Sequence, residues 1–436
     1  MNNPKKILVI GSGGREHALV WKLHKSKHHL HLYCAPGNAG IANLAELVPI
    51  YATEKENLLK FALSEKIDLT IVGPEQPLID GIVDLFEEHQ LRIFGPSKMA
   101  ARIEGEKVFS KNFMKRHNIP TADFQTFEIS QRYDAERHIN DIPAPIVIKA
   151  DGPAGGKGVV ICDTKEQALL AIEAIMGEKI FGEAGSRIVI EEFLIGEEIS
   201  VLILTDGKEY VKLIPVQDHK RIFDGDKGKN TGGMGAYAPV PFANDELIQK
   251  IDRQIIRPTL RGMSKEGYPF RGCLYAGIIL TEVGPKVLEF NCRFGDPETQ
   301  VLLPLLKNDL FDLMLELSFG KLKTKNLQWL DKSAVCVVIA SGGYPDLYQM
   351  GKKIIGLENV QTDPDIIVFH AGTRKEKESF ITSGGRVIGV TALDAKNNLE
   401  GAISKAYRAV EKITFDGAYY RSDIGQKGLQ RLINNV

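Results

Sequence analysis

The segment Leu288-Glu289-Phe290-Asn291-Cys292-Arg293-Phe294 carries the residue types for phosphoryl chemistry. In an extended chain, alternation puts Glu289, Asn291 and Arg293 on one face and Leu288, Phe290 and Cys292 on the other. The second face is core. The first offers two hard oxygen ligands, which suit a magnesium ion that also keeps phosphate oxygens and water. The guanidinium beside them suits a transferring phosphoryl group or a developing oxyanion. The same three side chains would also make a plain solvated strand face.

A second segment, Val147-Ile148-Lys149-Ala150-Asp151-Gly152-Pro153-Ala154-Gly155-Gly156-Lys157-Gly158-Val159-Val160-Ile161, reads as strand, glycine-rich loop, strand. Gly155, Gly156 and Gly158 let backbone N–H groups approach an anion, and Lys149 and Lys157 add positive charge. This is not a Walker A loop, because Gly158 stands where that motif needs Ser or Thr. The bland alternative is a hairpin with a long loop.

Other loops join these two. Gly11-Ser12-Gly13-Gly14-Arg15-Glu16-His17 follows a strand and opens a helix, which aims backbone N–H groups and the positive helix end at an anion. Glu16 occupies the third glycine position of a dinucleotide fingerprint, which counts against nicotinamide binding. Asn38, in Pro36-Gly37-Asn38-Ala39-Gly40, and Glu75, after Gly73-Pro74, can reach sugar hydroxyls. Turn chemistry alone would also explain Asn38. Residues 191–198, Glu-Glu-Phe-Leu-Ile-Gly-Glu-Glu, read as a solvated acidic turn. They read equally as a hinge whose backbone meets an adenine edge and whose carboxylate holds ribose hydroxyls. Asp218-His219-Lys220-Arg221 begins a long glycine-rich loop that runs past Asn230-Thr231-Gly232-Gly233. It is suited to gripping a carboxylate or phosphate, or is an exposed basic loop.

The elements that must position these groups follow from periodicity. Strands are expected at 7–10, 30–34, 69–72 and 92–94, with helices at 16–26, 58–65 and 79–89. That alternation predicts an N-terminal doubly wound parallel sheet with ligands at the carboxyl ends of its strands. Ser97 should cap a helix running to residue 117. Residues 121–192 read as a small α+β module with a helix at 165–176, and 192–307 as a second module dominated by strands. The last segment reads as mixed α/β, with strands at 334–340, 366–370 and 386–392 and a helix at 399–410. The fold class is α/β and α+β, multidomain.

Bulk properties narrow the function. The chain has 436 residues, 43% hydrophobic and 25% charged, which suits a soluble globular protein with several cores. A formal net charge of −1 gives no bulk attraction to nucleic acid or membrane, so any phosphate site must be local. Five cysteines are scattered with no C-x-x-C pair, which argues against disulfides and structural zinc. The stretch before the first strand is too short for a signal peptide. A cytoplasmic location is expected.

The ordered set of motifs resembles the phosphoribosylamine–glycine ligases, or glycinamide ribonucleotide synthetases, a family of the ATP-grasp superfamily. The match includes G-S-G-G-R-E-H-A at Gly11, P-G-N-A-G at Pro36, V-G-P-E at Val72 and K-A-D-G-P-A-G-G-K-G-V at Lys149. It continues with D-H-K-R at Asp218, N-T-G-G-M-G-A at Asn230 and E-F-N-C-R-F-G-D-P-E-T-Q at Glu289. Ser383-Gly384-Gly385-Arg386-Val387 and Tyr420-Arg421-Ser422-Asp423-Ile424-Gly425 also fit.

The resemblance implies a substrate domain at 1–104, an ATP-grasp domain at 105–328 with a mobile lid near 121–192, and a small C-terminal mixed α/β domain at 329–436. It implies ligation of glycine to 5-phospho-β-D-ribosylamine with ATP and Mg²⁺ or Mn²⁺, through glycyl phosphate, as the second step of purine biosynthesis. Lys107, Lys149 and the Gly155, Gly156, Lys157, Gly158 loop would hold the phosphates. Glu191 to Leu194 would hold adenine, largely through backbone groups, and Glu198, with Glu197 as the alternative, the ribose. Glu289 and Asn291 would hold the metal, with Arg293 and Asp296 catalytic. Gly13, Gly14, Asn38 and Glu75 would face the ribosylamine, while Asp218, Lys220 and Arg221 would take glycine or phosphate. The partners are small molecules, with no nucleic acid or membrane, and a monomer or weak homodimer is expected. Another ATP-grasp carboxylate–amine ligase, a nicotinamide oxidoreductase and a non-catalytic nucleotide regulator are the competing readings.

Overall fold

The structure, a computed structural model, describes residues 3–152, 158–360, 362–395 and 398–434. Gly155, Gly156 and Lys157 of the expected phosphate loop lie outside the described residues. Among the described residues, no helix is long and apolar enough to cross a membrane.

The N-terminal region forms the expected parallel sheet. Ile7, Leu8, Val9 and Ile10 are fully buried, as a central parallel strand covered on both faces requires. The strand order is Glu46–Leu47, Leu30–Pro36, Lys5–Gly11, Leu69–Val72, Ile93–Phe94. The order reverses at Lys5–Gly11. The loops after Gly11 and Val72 therefore flank the topological switch point, where ligands of such sheets bind.

Two expected helices are broken. The stretch read as 79–89 is Glu75–Ile79 and Ile82–Glu88, split at Gly81 with φ +85°. Ser97 Oγ accepts the Ala100 N–H at 3.3 Å, as a cap should, but the helix it opens ends at Gly105. Glu106 is extended, and a second helix, Lys107–Arg116, starts at once. That break places Lys107 at a helix start beside the small module, where Val108 N–H donates to Asp151 Oδ1 at 3.0 Å.

Two antiparallel sheets follow. The small module has the order Phe124–Glu128, Arg187–Glu192, Ile146–Ala150, Val159–Cys162. The larger sheet has the order Tyr210–Lys212, Glu197–Thr205, Gly272–Thr281, Gly284–Asn291. Helices Asp245–Ile251 and Arg257–Lys265 interrupt the region read as mainly strand. They are joined by a π turn, Asp252–Ile256, and bury Ile251, Ile255, Ile256, Leu260 and Met263. The π turn resets the 3.6-residue period, which hides the pattern in the sequence.

The loop expected from Arg221 onward is in part a hairpin, Arg221–Phe223 with Lys227–Asn230, followed by a strand, Gly235–Ala238. That strand and Gln217–Asp218 join the C-terminal sheet, next to Lys332–Ser341, Arg386–Ala395 and Ile366–His370. The helix Leu399–Val410 packs on it. Leu399, Ala402, Ile403, Ala406, Ala409 and Val410 form its buried stripe, and Asn398 caps it through Gly401 N–H at 3.0 Å.

Candidate active site

One cleft collects residues from the N-terminal sheet, the broken helix, the small module, the larger sheet and the segment that leads into the hairpin. Glu75 comes from the switch point, Glu104 and Lys107 from the broken helix, and Lys149 and Gly158 from the small module. Asp218 and Lys220 precede the hairpin, and Glu289, Asn291 and Arg293 come from the edge strand of the larger sheet and the turn after it. Asp296 and Glu298 close one end.

The alternation expected along 288–293 holds with one correction. Gly277 pairs with Glu289 and Ile278 with Val287, so Leu288 is the extra residue of a β-bulge. Leu288 is therefore not core but lines the cleft, and its carbonyl accepts from Lys149 Nζ at 3.1 Å. Phe290 and Cys292 are buried. Arg293 is held from three sides: Nη2 donates to Asn291 Oδ1 at 2.9 Å and lies 3.0 Å from Glu104 Oε1, while Nε donates to Glu75 Oε2 at 3.2 Å. Burial opposes its charge, but Glu104 and Glu75 hold it protonated well above the ordinary range. Burial raises the Glu104 carboxyl, which Arg293 only partly offsets; its other oxygen accepts Cys292 N–H at 2.6 Å.

Lys107 and Lys149 both line the cleft, but Glu191 does not. Its backbone lies in the middle of the small sheet, paired with Phe124 on one side and Val147 on the other. Its side chain is buried in ion pairs with Lys111 and Lys149. Glu191 is thus not part of a solvated turn; its side chain fixes two lysines. Burial raises its carboxyl, and Lys149 and Lys111 outweigh that and hold it below the usual range. Burial, then Lys149, pushes Lys111 down to about 8. Lys107 Nζ donates to Gly152 O at 2.8 Å, and burial, helped by Lys149 but opposed by Glu289, lowers its ammonium. Leu194 and Glu198 are not among the described residues lining the cleft. Glu198 meets it through Lys220, whose Nζ lies 3.0 Å away.

A second acidic cluster surrounds Lys220, which also lies 3.7 Å from Glu289. Burial opposes its charge, and Glu198, Asp218 and Glu289 hold it protonated. Burial pushes the Asp218 carboxyl up to about 7; Lys220 opposes this, and Glu298, Glu198 and Glu289 add to it. Enclosure raises the Glu289 carboxyl, but Lys220, Lys149, Lys107 and Arg293 outweigh that and keep it ionised. Arg221 leaves the cleft: its Nη1 donates to Gly228 O at 2.6 Å within the hairpin. Alternation along the short strands turns it away from Lys220.

Two backbone donors at the start of the Gly14 helix are already taken. Gly13 N–H donates to Glu16 Oε2 at 2.6 Å, and Arg15 N–H to Asp296 Oδ2 at 3.2 Å. The chain's own carboxylates hold those donors. Glu16 fills the space left by Gly11 and Gly73, where a Cβ at Gly73 would lie 2.0 Å from its Oε1. Gly13 and Asn38 line a second cleft with Asp296 and Arg386, between the N-terminal sheet and the C-terminal region. The Asn38 side chain is fully engaged: Nδ2 donates to Ser12 O and His370 O, and Oδ1 accepts from Gly40 N–H and Ile41 N–H. Its amide shapes the loop and has no group left for a sugar. Gly14 is a packing position, since a Cβ there would lie 2.5 Å from Gln300 Nε2.

Models of the phosphoribosylglycinamide synthetase N domain, ATP-grasp (A) domain and C domain match residues 5–104, 105–299 and 334–427. A phosphoribosylamine–glycine ligase of Caldanaerobacter subterraneus subsp. tengcongensis is 48% identical over 96% of this chain and 99% of its own. The chain belongs to the phosphoribosylglycinamide synthetase family. Another relative in the family, from Salmonella typhi, is 48% identical over 98% of this chain and 99% of its own. The crystal structure of a phosphoribosylamine–glycine ligase from Thermotoga maritima superposes with TM-score 0.83 at 37% identity, covering 96% of this chain and all of that one. The biotin carboxylase domain of a Hydrogenobacter thermophilus 2-oxoglutarate carboxylase, at 18% identity and TM-score 0.73, shares the fold, covering 96% and 92% of the two chains.

Within this family frame, sequence reasoning missed Arg15, Glu16, Glu104, Lys111 and Arg386 as residues of the two clefts and their supports. Arg15, Glu16 and Arg386 lie inside quoted motifs, so the signal was there for these. Glu104 and Lys111 look like ordinary helix-surface charges in the sequence. Only the break at Glu106 and the packing of the small module bury them.

Proposed function

We propose that this chain joins glycine to 5-phospho-β-D-ribosylamine, converting ATP to ADP and phosphate and yielding glycinamide ribonucleotide. One observation supports the reading: Lys107 and Lys149, the Glu289–Asn291 pair and Arg293 share a cleft that Glu75, at the switch point, also lines. A phosphate grip, a hard oxygen pair and a substrate-sheet carboxylate then meet around one guanidinium.

Lys107 and Lys149 would neutralise the ATP phosphates. The glycine carboxylate oxygen attacks the γ-phosphorus, ADP leaves, and Arg293 faces the charge that develops. The ribosylamine nitrogen then attacks the carbonyl carbon of glycyl phosphate, releasing phosphate and a proton. Glu104 and Glu75 keep Arg293 in place through both steps. Asp218 and Lys220 hold the glycine end. The 121–192 module would close as a lid, within a division at about 104 and 328, and exclude water.

Glu289 and Asn291 fit a magnesium or manganese ion. Both offer oxygen, Asn291 Oδ1 accepts one bond from Arg293 and keeps a lone pair, and the lysines nearby leave phosphate oxygens to complete the shell. Bound there, the ion would neutralise and orient the phosphates. A cytoplasmic setting and a monomer or weak homodimer belong to this reading; the buried free thiols support a reducing compartment.

The test is ADP release with ATP, Mg²⁺ and glycine, with and without ribosylamine made in situ from ribose 5-phosphate and ammonia. Release that requires both is expected. Release with another carboxylate and amine, but not this pair, would keep the nucleotide machinery and overturn the substrates.

A further inference from the structure

Asp218 and Lys220 stand in the cleft although the peptide between 217 and 238 is largely outside the two antiparallel sheets of the ATP-grasp region. Its flanking strands belong to the C-terminal sheet: Gln217–Asp218 pairs with Gly235–Ala238, which pairs with Lys332–Ser341. The hairpin between them is two short strands with an irregular register. An isolated two-stranded hairpin is marginal in water, so its position needs an outside support.

The C-terminal region supplies that support at both ends. Arg421 is fully buried. Its Nη1 donates to Arg221 O at 3.0 Å and to Asp226 Oδ1 at 3.1 Å, and its fork grips Asp423 through Nε and Nη2 at 2.7 Å each. Asp423 Oδ2 in turn accepts Gly225 N–H at 2.9 Å, and Ser422 N–H donates to Asp224 Oδ1 at 2.9 Å. Lys427 pairs with Asp226. At the other end, Arg386 Nη1 donates to Gly233 O at 3.2 Å and Asp296 O at 2.7 Å. Between the two arginines, Thr231 ties the hairpin back to Lys220: its N–H and its hydroxyl both donate to Lys220 O, at 2.7 and 2.8 Å. Lys220 Nζ then faces Glu198 and Glu289.

We propose that the C-terminal region acts as a clamp on residues 218–233, with Arg421 the positioning residue that sets Lys220, and through it Glu289, in the cleft. The chain of contacts runs from Arg421 to the Arg221 carbonyl, one peptide from Lys220. A lysine at 421 keeps the charge but loses the fork that spans Asp423, Asp226 and the carbonyl together. The kinetic consequence rests on the ligase reading above; the geometric one does not.

Two measurements on the full chain test the clamp. Limited trypsinolysis reads whether the hairpin, with Arg221, Lys227 and Lys229 as cut sites, is held. Arg421→Gln and Arg421→Lys should open it to cleavage under conditions where the parent is uncut, with Arg421→Lys the slower of the two. Steady-state kinetics read the cleft. Arg421→Gln should lower kcat/KM for glycine about tenfold or more, while the affinity for a non-hydrolysable ATP analogue stays within about two-fold.

A role confined to stability would lower Tm and leave the kinetics of the folded fraction unchanged, and that result overturns the proposal. If Arg421→Gln does not fold, Asp224→Ala, which removes both oxygens that meet Ser422, decides the matter. Asp224 is exposed, and its part in the grip is to accept from Ser422. The proposal expects faster hairpin cleavage and a kcat/KM for glycine reduced about two- to threefold. Parent-like behaviour in both overturns it. A parent with no ligase activity but a hairpin that Arg421 protects would overturn the ligase reading and keep the clamp.

Discussion

Two lysine–carboxylate clusters meet the same cleft and differ in sign. Lys111, Lys149 and Glu191 make a set with one more cation than anion, each side chain no more than 9% exposed. Lys220, Asp218, Glu198 and Glu289 make a set with excess negative charge, and Glu198 and Glu289 are 43% and 44% exposed. The first is sealed by the small sheet and presents surplus positive charge, which suits phosphates. The second is open and presents surplus carboxylate, which suits a metal ion and an ammonium group. A buried pair is fixed because separating it exposes an uncompensated charge to a poor solvent. An open cluster can exchange partners, which is what a site that binds and releases ligands needs.

The largest test of that contrast is Glu191→Gln, which strips the anion from the sealed set. We expect a loss of about 3–5 kcal/mol in denaturant unfolding, since two lysines are left buried without a counter-charge. A loss below about 1 kcal/mol would mean that the cluster relaxes by losing a proton or admitting water.

Glu289→Gln makes the corresponding change in the open set. It should leave the unfolding midpoint nearly unchanged and lower kcat about a hundredfold, worth about 2.7 kcal/mol of transition-state stabilisation. A large stability loss with intact kcat would reverse the contrast.

A smaller effect lies in the pH dependence of stability. The Asp218 carboxyl is pushed up to about 7 in the folded protein, by burial first. The unfolded chain titrates near 4 by comparison, about the ordinary aspartate value. The folded state therefore holds the proton more tightly. The stability contributed by this group is complete below about pH 4 and is lost as pH rises to about 7. Asp218→Asn removes the titration, so the Tm difference between variant and parent should move in the variant's favour across that window and be flat above it. A pH-independent difference would show that Asp218 stays ionised and paired with Lys220.

The smallest effect is expected at Arg221, whose side chain has left the cleft. Arg221→Ala should keep kcat and the glycine KM within about two-fold in steady-state assays. A tenfold change would return this guanidinium to the open cluster.

Much of this architecture is legible in the linear chain because its causes are local. Ile7 to Ile10 have no polar side chain, are largely β-branched and end at a glycine turn, so that run reads as a covered strand. The stripe from Leu399 to Val410 states its own period and cap. Period-two alternation puts Glu289 and Asn291 on one face before any partner strand is known. Those residues, with Lys107, Lys149, Glu75, Asp218, Lys220, Arg293 and Asp296, do line one cleft.

What the tertiary structure alone decided is which charges are free. Glu191 and Glu289 are both carboxylates near the end of a strand, with a further polar residue one or two positions on, and nothing local says which is claimed by buried lysines. One is enclosed between two strands and claimed by Lys111, 80 residues earlier in the chain, and by Lys149; the other faces open cleft. Asn38 looked available until His370, from the opposite end of the chain, lent its carbonyl. The backbone donors at Gly13 and Arg15 likewise looked open until the carboxylates of Glu16 and Asp296 took them. Pattern and spacing determine secondary structure and which face a side chain takes. Whether a charge or a hydrogen-bonding group is left for a ligand depends on partners brought in from distant parts of the chain, and packing alone chooses those.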